Sequence, residues 1–180
     1  TISPSMDILV SSNLERYLLL ASECDFDLVR GLMEKLKQDG VYEAPGMLTE
    51  TMQRRFAAYC ASDEEAMEVI GRVWRERGYL LDPHTAVAWS AMEKFRAEQD
   101  NGCPTVMLST ASPYKFSKAV LAALGGESSG DGFDAMDKLC ALTGVPIPRN
   151  LSSLKGKPAR FDDCVESNAM LDYVRKAVEG

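Results

Sequence analysis

Residues 105–116 read Thr105-Val106-Met107-Leu108-Ser109-Thr110-Ala111-Ser112-Pro113-Tyr114-Lys115-Phe116. Thr105 to Leu108 is the clearest β-type run of the chain, placed directly behind Cys103-Pro104. Ser109 to Pro113 supplies cap and turn residues. Phe116, Val120, Leu121 and Leu124 then follow at helical spacing. This is strand, turn and helix. Residues 79–86 have the same form: Tyr79-Leu80-Leu81 is a short apolar run, Asp82 is an N-cap residue, and Pro83 suits the first helical position. In open α/β sheets, ligands gather outside the carboxyl ends of strands, and helix starts offer free N–H groups to anions. The hydroxyls of Ser109, Thr110 and Ser112 would then face one crevice.

Working outward, most of the chain reads as helix. Ser11, Ser12 and Asn13 precede an apolar face of Leu14, Tyr17, Leu18 and Leu20. Phe26 to Gln38 carries Phe26, Val29, Leu32, Met33 and Leu36 and stops at Gly40. A third helix is expected over Thr49 to Cys60. Ser62-Asp63-Glu64-Glu65 is a capping box, followed by Ala66, Val69, Ile70, Val73 and Trp74 and ended by Gly78. The helix opened by Asp82-Pro83 should bury Val87, Ala88, Ala91, Met92 and Phe95. Gly125 to Gly132 is a Gly/Ser loop. Phe133 to Leu142 is a helix, Val145 to Phe161 is mostly irregular, and Val165 to Val178 is a terminal helix. The fold class is therefore α/β: mostly helical, with two or three short strands each feeding a helix. So few strands make a poor sheet alone, so further strands should come from elsewhere.

Composition narrows the function classes. A chain of 180 residues is one domain, or at most a domain with a small appendage, and hydrophobic residues at 46% with charged residues at 26% are ordinary for a globular protein. The net charge of −7 argues against nucleic acid or an anionic membrane as partner, since both need a basic face. No apolar run reaches the roughly 20 residues of a membrane span. Five irregularly spaced cysteines without C-x-x-C point to reduced thiols and a cytoplasmic location. With His84 as the sole histidine, no metal site is expected.

Each candidate residue has an ordinary role beside the functional one. Ser and Thr after a strand are usually caps and turn-makers. His84 sits in the first turn of its helix, where the positive helix end disfavours imidazolium, so a neutral hydrogen-bonding His is expected. Lys115 and Lys118, one turn apart, suit a solvated face. Glu64-Glu65 and Asp162-Asp163 suit helix starts, where acids complement the dipole. The Gly125–Gly132 loop lacks the Walker pattern. The methionines sit at helical core positions and read as packing.

Three stretches together carry a resemblance. Thr1-Ile2-Ser3-Pro4-Ser5-Met6-Asp7-Ile8 with Val10-Ser11-Ser12-Asn13-Leu14-Glu15-Arg16 resembles a stretch of the threonine synthase family, in its yeast and bacterial branch. Leu81-Asp82-Pro83-His84-Thr85-Ala86-Val87-Ala88 is similar to a second stretch, and Leu108 to Phe116 to a third. They stand in the family's order. The resemblance implies a tryptophan-synthase-β-like fold and pyridoxal phosphate as cofactor. It also implies conversion of O-phospho-L-homoserine and water to L-threonine and phosphate.

The resemblance covers the C-terminal portion of the family, so residues 1–180 are expected to be the C-terminal part of the catalytic domain. The Schiff-base lysine and the loop holding the cofactor phosphate lie upstream in the family and have no counterpart here. Lys115 belongs to a different motif. The chain alone is therefore expected to be inactive, and its partners are the N-terminal part of the enzyme or a second copy of itself. Carried over residue by residue, Thr110 matches the hydroxyl that hydrogen-bonds the pyridine nitrogen, with Ser109 as second choice. His84 and Thr85 support the pocket, and Asp7 and Asn13 order the substrate side. Two other readings stand beside this one: a non-catalytic homologue acting as a regulatory or interaction module, and a helical binding domain with accidental matches.

Overall fold

The structure, a computed structural model, describes residues 1–180 apart from Leu9, Asp100, Asn101, Ser128, Phe161 and Gly180. Nine α-helices stand among the described residues: α1 (Ser12–Ala21), α2 (Phe26–Asp39), α3 (Gly46–Gln53), α4 (Asp63–Arg77), α5 (Pro83–Gln99), α6 (Ser117–Ala123), α7 (Gly132–Thr143), α8 (Arg149–Ser152) and α9 (Met170–Glu179). Short 3-10 turns cover Pro4–Met6, Pro113–Phe116 and Ser167–Ala169. The described residues form two compact units, Thr1–Ile147 and Pro148–Gly180.

Caps account for most helix limits. The Asp25 side chain accepts from Leu28 N–H, and Gly40 closes α2 in the left-handed conformation. Ser62 and Glu65 exchange both hydrogen bonds of a capping box at the start of α4, and Gly78 closes that helix. Asp131 and Asp134 form a second box on α7, one residue ahead of the expected start at Phe133. The helix expected over Thr49–Cys60 is shifted: α3 begins at Gly46, behind Pro45, and ends at Gln53. Residues 54–61 bury no side chain fully, so no packed face carries the helix on. Asp162 and Asp163 lie in a loop ahead of the Ser167–Ala169 turn, not at a helix start. Parts of two expected segments, Ser128 in the Gly/Ser loop and Phe161 in the irregular stretch, lie outside the described residues.

The first unit holds the larger core. α5 packs along α4, and α6 packs on α4 and α7. Between them lie Ala66, Val69, Ile70, Val73, Val120, Leu121, Ala135 and Leu139, all buried. Gly71 marks the closest approach: a Cβ there would stand 2.8 Å from the Ala123 carbonyl oxygen. On α5 burial is concentrated at the start, over Pro83–Val87 and Ser90. The expected stripe beyond Val87 is only half-buried. A smaller cluster of Leu18, Val29, Leu32 and Leu48 joins α1, α2 and α3. Leu20, expected on the buried face of α1, is exposed.

None of the described residues lies in a β-strand. The strands expected at Tyr79–Leu81 and Thr105–Leu108 are extended segments without a ladder. A strand exists only by pairing with a neighbour, and neither run has one among the described residues. Val106 and Leu108 are 84% and 75% exposed.

Candidate functional site at the start of α5

The 79–86 segment centres on Asp82. Its carboxylate is buried at 1% exposure, and as N-cap of α5 it accepts the backbone N–H of His84 at 2.9 Å and of Thr85 at 3.4 Å. Two side chains converge on it as well. The Thr85 hydroxyl donates to Asp82 Oδ2. His84 Nδ1 lies 3.2 Å from Asp82 Oδ1. The second imidazole nitrogen, Nε2, accepts the backbone N–H of Ser5 at 3.2 Å. That bond makes Nε2 the acceptor and Nδ1 the protonated nitrogen, donating to the carboxylate. The His84 ring also lies 4.7 Å from the Phe116 ring, centroid to centroid. The imidazole is thus fixed from three elements.

The Ser3–Met6 segment is held from a second direction. Asp63 accepts the backbone N–H of Ile2 at 3.1 and 3.2 Å, and Ser3 is buried. Beyond this turn, Asp7 is exposed.

The 105–110 segment reaches the cluster through Ser109, whose Oγ is 3.4 Å from Thr85 Oγ1. Arg96, in the last turn of α5, donates to Thr105 Oγ1 at 2.8 and 3.2 Å and so fixes where the segment starts. Ser112 accepts from Tyr114 N–H, and the buried Tyr114 donates its hydroxyl to the Val145 carbonyl. These two contacts fix its end. Between the anchors, Ser109 and Thr110 are exposed. A cleft of about 330 Å³ opens beside them, lined by Arg77, Tyr79, Leu81, Thr85, Trp89, Met107 and Ser109. The Arg77 guanidinium lies 5.9 Å from the Trp89 ring centroid. Larger clefts of about 520 and 690 Å³ lie on α1–α2 and beside α3, but neither contains this cluster.

One wall of the site is braced by ion pairs between α4 and α5. Arg72 donates to both oxygens of Glu93, at 3.0 and 2.6 Å, and Trp89 Nε1 donates to the same carboxylate at 2.8 Å. The Arg72 hydrogen bonds hold the Glu93 carboxyl below the usual carboxylate range against the opposing effect of burial, with a lesser contribution from Trp89. Lys94 does the same for Glu65 at 2.8 Å.

The structure therefore brings together His84, Thr85 and Ser109, with Thr110 next in the chain and Asp7 two residues beyond the Ser5 contact. Asn13 stands apart, exposed on α1, where Arg16 donates to its side chain. Sequence reading took Asp82 for a helix cap and did not single out Ser5. An Asp at the N-cap followed by His and Thr at the second and third helical positions was the available signal for Asp82. Nothing local marks Ser5, because its partner is 79 residues away.

Residues 85–178 match the family model described as threonine synthase, C-terminal. The chain belongs to the threonine synthase family. It is 42% identical over 125 residues to threonine synthase-like 1 of Mus musculus, covering 69% of this chain and 16% of that protein. It resembles the crystal structure of yeast threonine synthase at a TM-score of 0.76 and 30% identity, over 99% of this chain and 36% of that one. It also resembles the threonine synthase of Brucella melitensis, solved with pyridoxal phosphate bound. There the TM-score is 0.64 and the identity 39%, over 76% of this chain and 29% of that one. This threonine synthase-family chain thus spans between 16% and 36% of the length of these relatives.

Proposed function

We propose that this chain works as the C-terminal part of the catalytic domain of a pyridoxal-phosphate-dependent threonine synthase, a carbon–oxygen lyase acting on phosphates. The reaction is the β,γ-replacement that turns O-phospho-L-homoserine and water into L-threonine and phosphate. The reading is carried by the exposed Ser109 hydroxyl in an aromatic-walled cleft of a threonine synthase-family chain, with the exposed Thr110 next to it in sequence. The residues fit one edge of the cofactor: Tyr79, Leu81, Trp89 and Met107 offer an apolar wall to a flat ring, and the hydroxyls offer neutral hydrogen bonds to a ring nitrogen.

When bound, the cofactor supplies an electron sink for carbanions. The Thr110 hydroxyl, with Ser109 as second choice, bonds the pyridine nitrogen, and a neutral partner of this kind leaves that nitrogen largely unprotonated. Thr85 supports the pocket from the α5 side. His84 acts as a support and not as a base, since both ring nitrogens are engaged, one on Asp82 and one on Ser5. Asp7 and Asn13 belong to the substrate side. The Schiff-base lysine and the cofactor-phosphate loop come from the N-terminal part of the enzyme. Exposed Val106 and Leu108 support coverage of the 105–108 segment by that part, or self-association when the chain is alone.

Phosphate release from O-phosphohomoserine with added pyridoxal phosphate tests the reading. The product of the complete gene should be active and the 180-residue chain inactive. In the complete enzyme, Thr110→Val should slow turnover and move the cofactor's absorption band; no change in either sinks the Thr110 assignment. A second reading, a non-catalytic homologue, draws on the likeness to a protein named threonine synthase-like 1. Absence of phosphate release from both chains would favour it.

A further inference from the structure

Among the described residues that line the cleft of about 330 Å³, Arg77 is the one that carries a charge. No Asp or Glu is among them, although the chain has 27 acidic residues against 20 Lys and Arg. The walls formed by Leu81, Trp89 and Met107 are apolar. A cation in a cleft free of carboxylates and walled by low-dielectric groups makes a local positive field on an acidic protein.

Arg77 stands in the last turn of α4, where a cation complements the helix dipole. That role explains a charge at this helix end but not where the guanidinium lies. Arg75 shares the same turn and does not line the cleft. Arg77 instead lies over the Trp89 ring, 5.9 Å from its centroid. Trp89 is held in turn by its hydrogen bond to Glu93 at 2.8 Å, and Glu93 by both hydrogen bonds from Arg72. The platform beside the guanidinium is thus fixed from α4 and α5. Contact with the ring uses the positive charge and leaves the N–H donors to an oxygen partner. Among the described residues, Arg77 pairs with no carboxylate and donates no side-chain hydrogen bond. It is exposed, so an anion entering the cleft meets it directly.

We propose that Arg77 binds the phosphate monoester of a ligand in this cleft. The guanidinium offers N–H donors in a planar fork that matches phosphate oxygens two at a time. A phosphate monoester carries about −1.5 to −2 charges near pH 7 and three acceptor oxygens, so it gains more here than a carboxylate does. The inference rests on the reading that the cleft belongs to the threonine synthase reaction. That reading supplies two carriers of the group, O-phosphohomoserine and pyridoxal phosphate, and the experiment separates them.

The test uses the complete gene product. Inorganic phosphate is titrated calorimetrically with and without bound cofactor, KM for O-phosphohomoserine is read by phosphate release, and cofactor Kd by the absorption band. In Arg77→Gln the Kd for inorganic phosphate should rise about tenfold at one site, the scale of one hydrogen bond to a charged group. Arg77→Lys, which keeps the charge without the fork, should fall between. A matching rise in KM with unchanged cofactor Kd gives the site to the substrate. A rise in cofactor Kd with unchanged KM gives it to the cofactor. Arg75→Gln, which removes a charge from the same helix end, should change none of these; an equal loss there would overturn the proposal. Unchanged phosphate Kd, KM and cofactor Kd in Arg77→Gln would also overturn it, and with turnover intact the reaction reading would stand. A native protein without turnover, whose phosphate binding still depends on Arg77, would support the site and overturn the reaction reading instead.

Discussion

His84 Nε2 accepts the backbone N–H of Ser5 at 3.2 Å, joining two residues 79 positions apart. Through this one bond the Pro4–Met6 turn is tied to the start of α5. His84→Ala leaves the part-buried Ser5 N–H without its acceptor and removes the ring packed on Phe116. The expected loss is about 1–3 kcal/mol of stability, measured by urea unfolding. Limited proteolysis should also cut sooner within residues 3–8. Unchanged cleavage there would show that the turn is held by Asp63 alone.

Gly71 separates α4 from α6. A methyl group at this position meets the Ala123 carbonyl oxygen at 2.8 Å, and a backbone atom cannot swing away. Gly71→Ala should therefore destabilise by about 1–3 kcal/mol despite the better helix propensity of Ala. Gly31, exposed within α2 and with nothing within 4 Å of its would-be Cβ, is the control. Gly31→Ala should stabilise by about 0.5–1 kcal/mol. Paired melting curves of the two variants read the difference in sign.

Glu93 makes part of the stability depend on pH. Its carboxyl is held below the ordinary value by Arg72 and then Trp89. A group whose folded value is depressed contributes fully above its unfolded value, near 4.3, and loses that contribution as pH falls through the folded one. Glu93 is 41% exposed and Arg72 32%, so solvent screening limits the effect to about 1 kcal/mol or less. Glu93→Gln should lower stability at pH 7 and flatten its fall below pH 5. Urea midpoints across pH 3–7 would show whether the two curves converge at the acid end.

Leu139 is fully buried on α7 in the four-helix core, whereas Leu142, one turn on, is 53% exposed. Leu139→Ala should cost about 2–5 kcal/mol, while Leu142→Ala should stay within about 0.5 kcal/mol. Denaturant midpoints for both variants test the position of the core directly.

The helices and their ends were legible in the sequence, because a cap is a local event. Ser62 to Glu65, Gly40, Gly78 and Asp82-Pro83 each act within four residues, and all appear where the residue types demand. The hydroxyl-rich turn at Ser109–Ser112 was legible for the same reason. Helix α3 was misjudged because its end depends on whether residues 54–61 find a surface to pack on, which spacing does not contain. The expected strands failed for a related reason: alternation and β-branched residues describe a segment ready to pair, and pairing needs a second segment.

Sequence alone determined the helical elements, their caps, the two segments that carry the polar groups and the likeness to one family. These follow from propensity, periodicity and order along the chain, all short-range properties. Tertiary structure alone decided that Ser5, Asp82, His84, Thr85 and Ser109 form a single hydrogen-bonded cluster, and that Asn13 stands outside it. It also decided that Asp82 is more than a cap. The physical reason is that a buried carboxylate must be satisfied by whatever donors the packing delivers. Here the donors come from the neighbouring His84 and Thr85, and packing brings Ser5 and Ser109 from distant segments onto those two side chains.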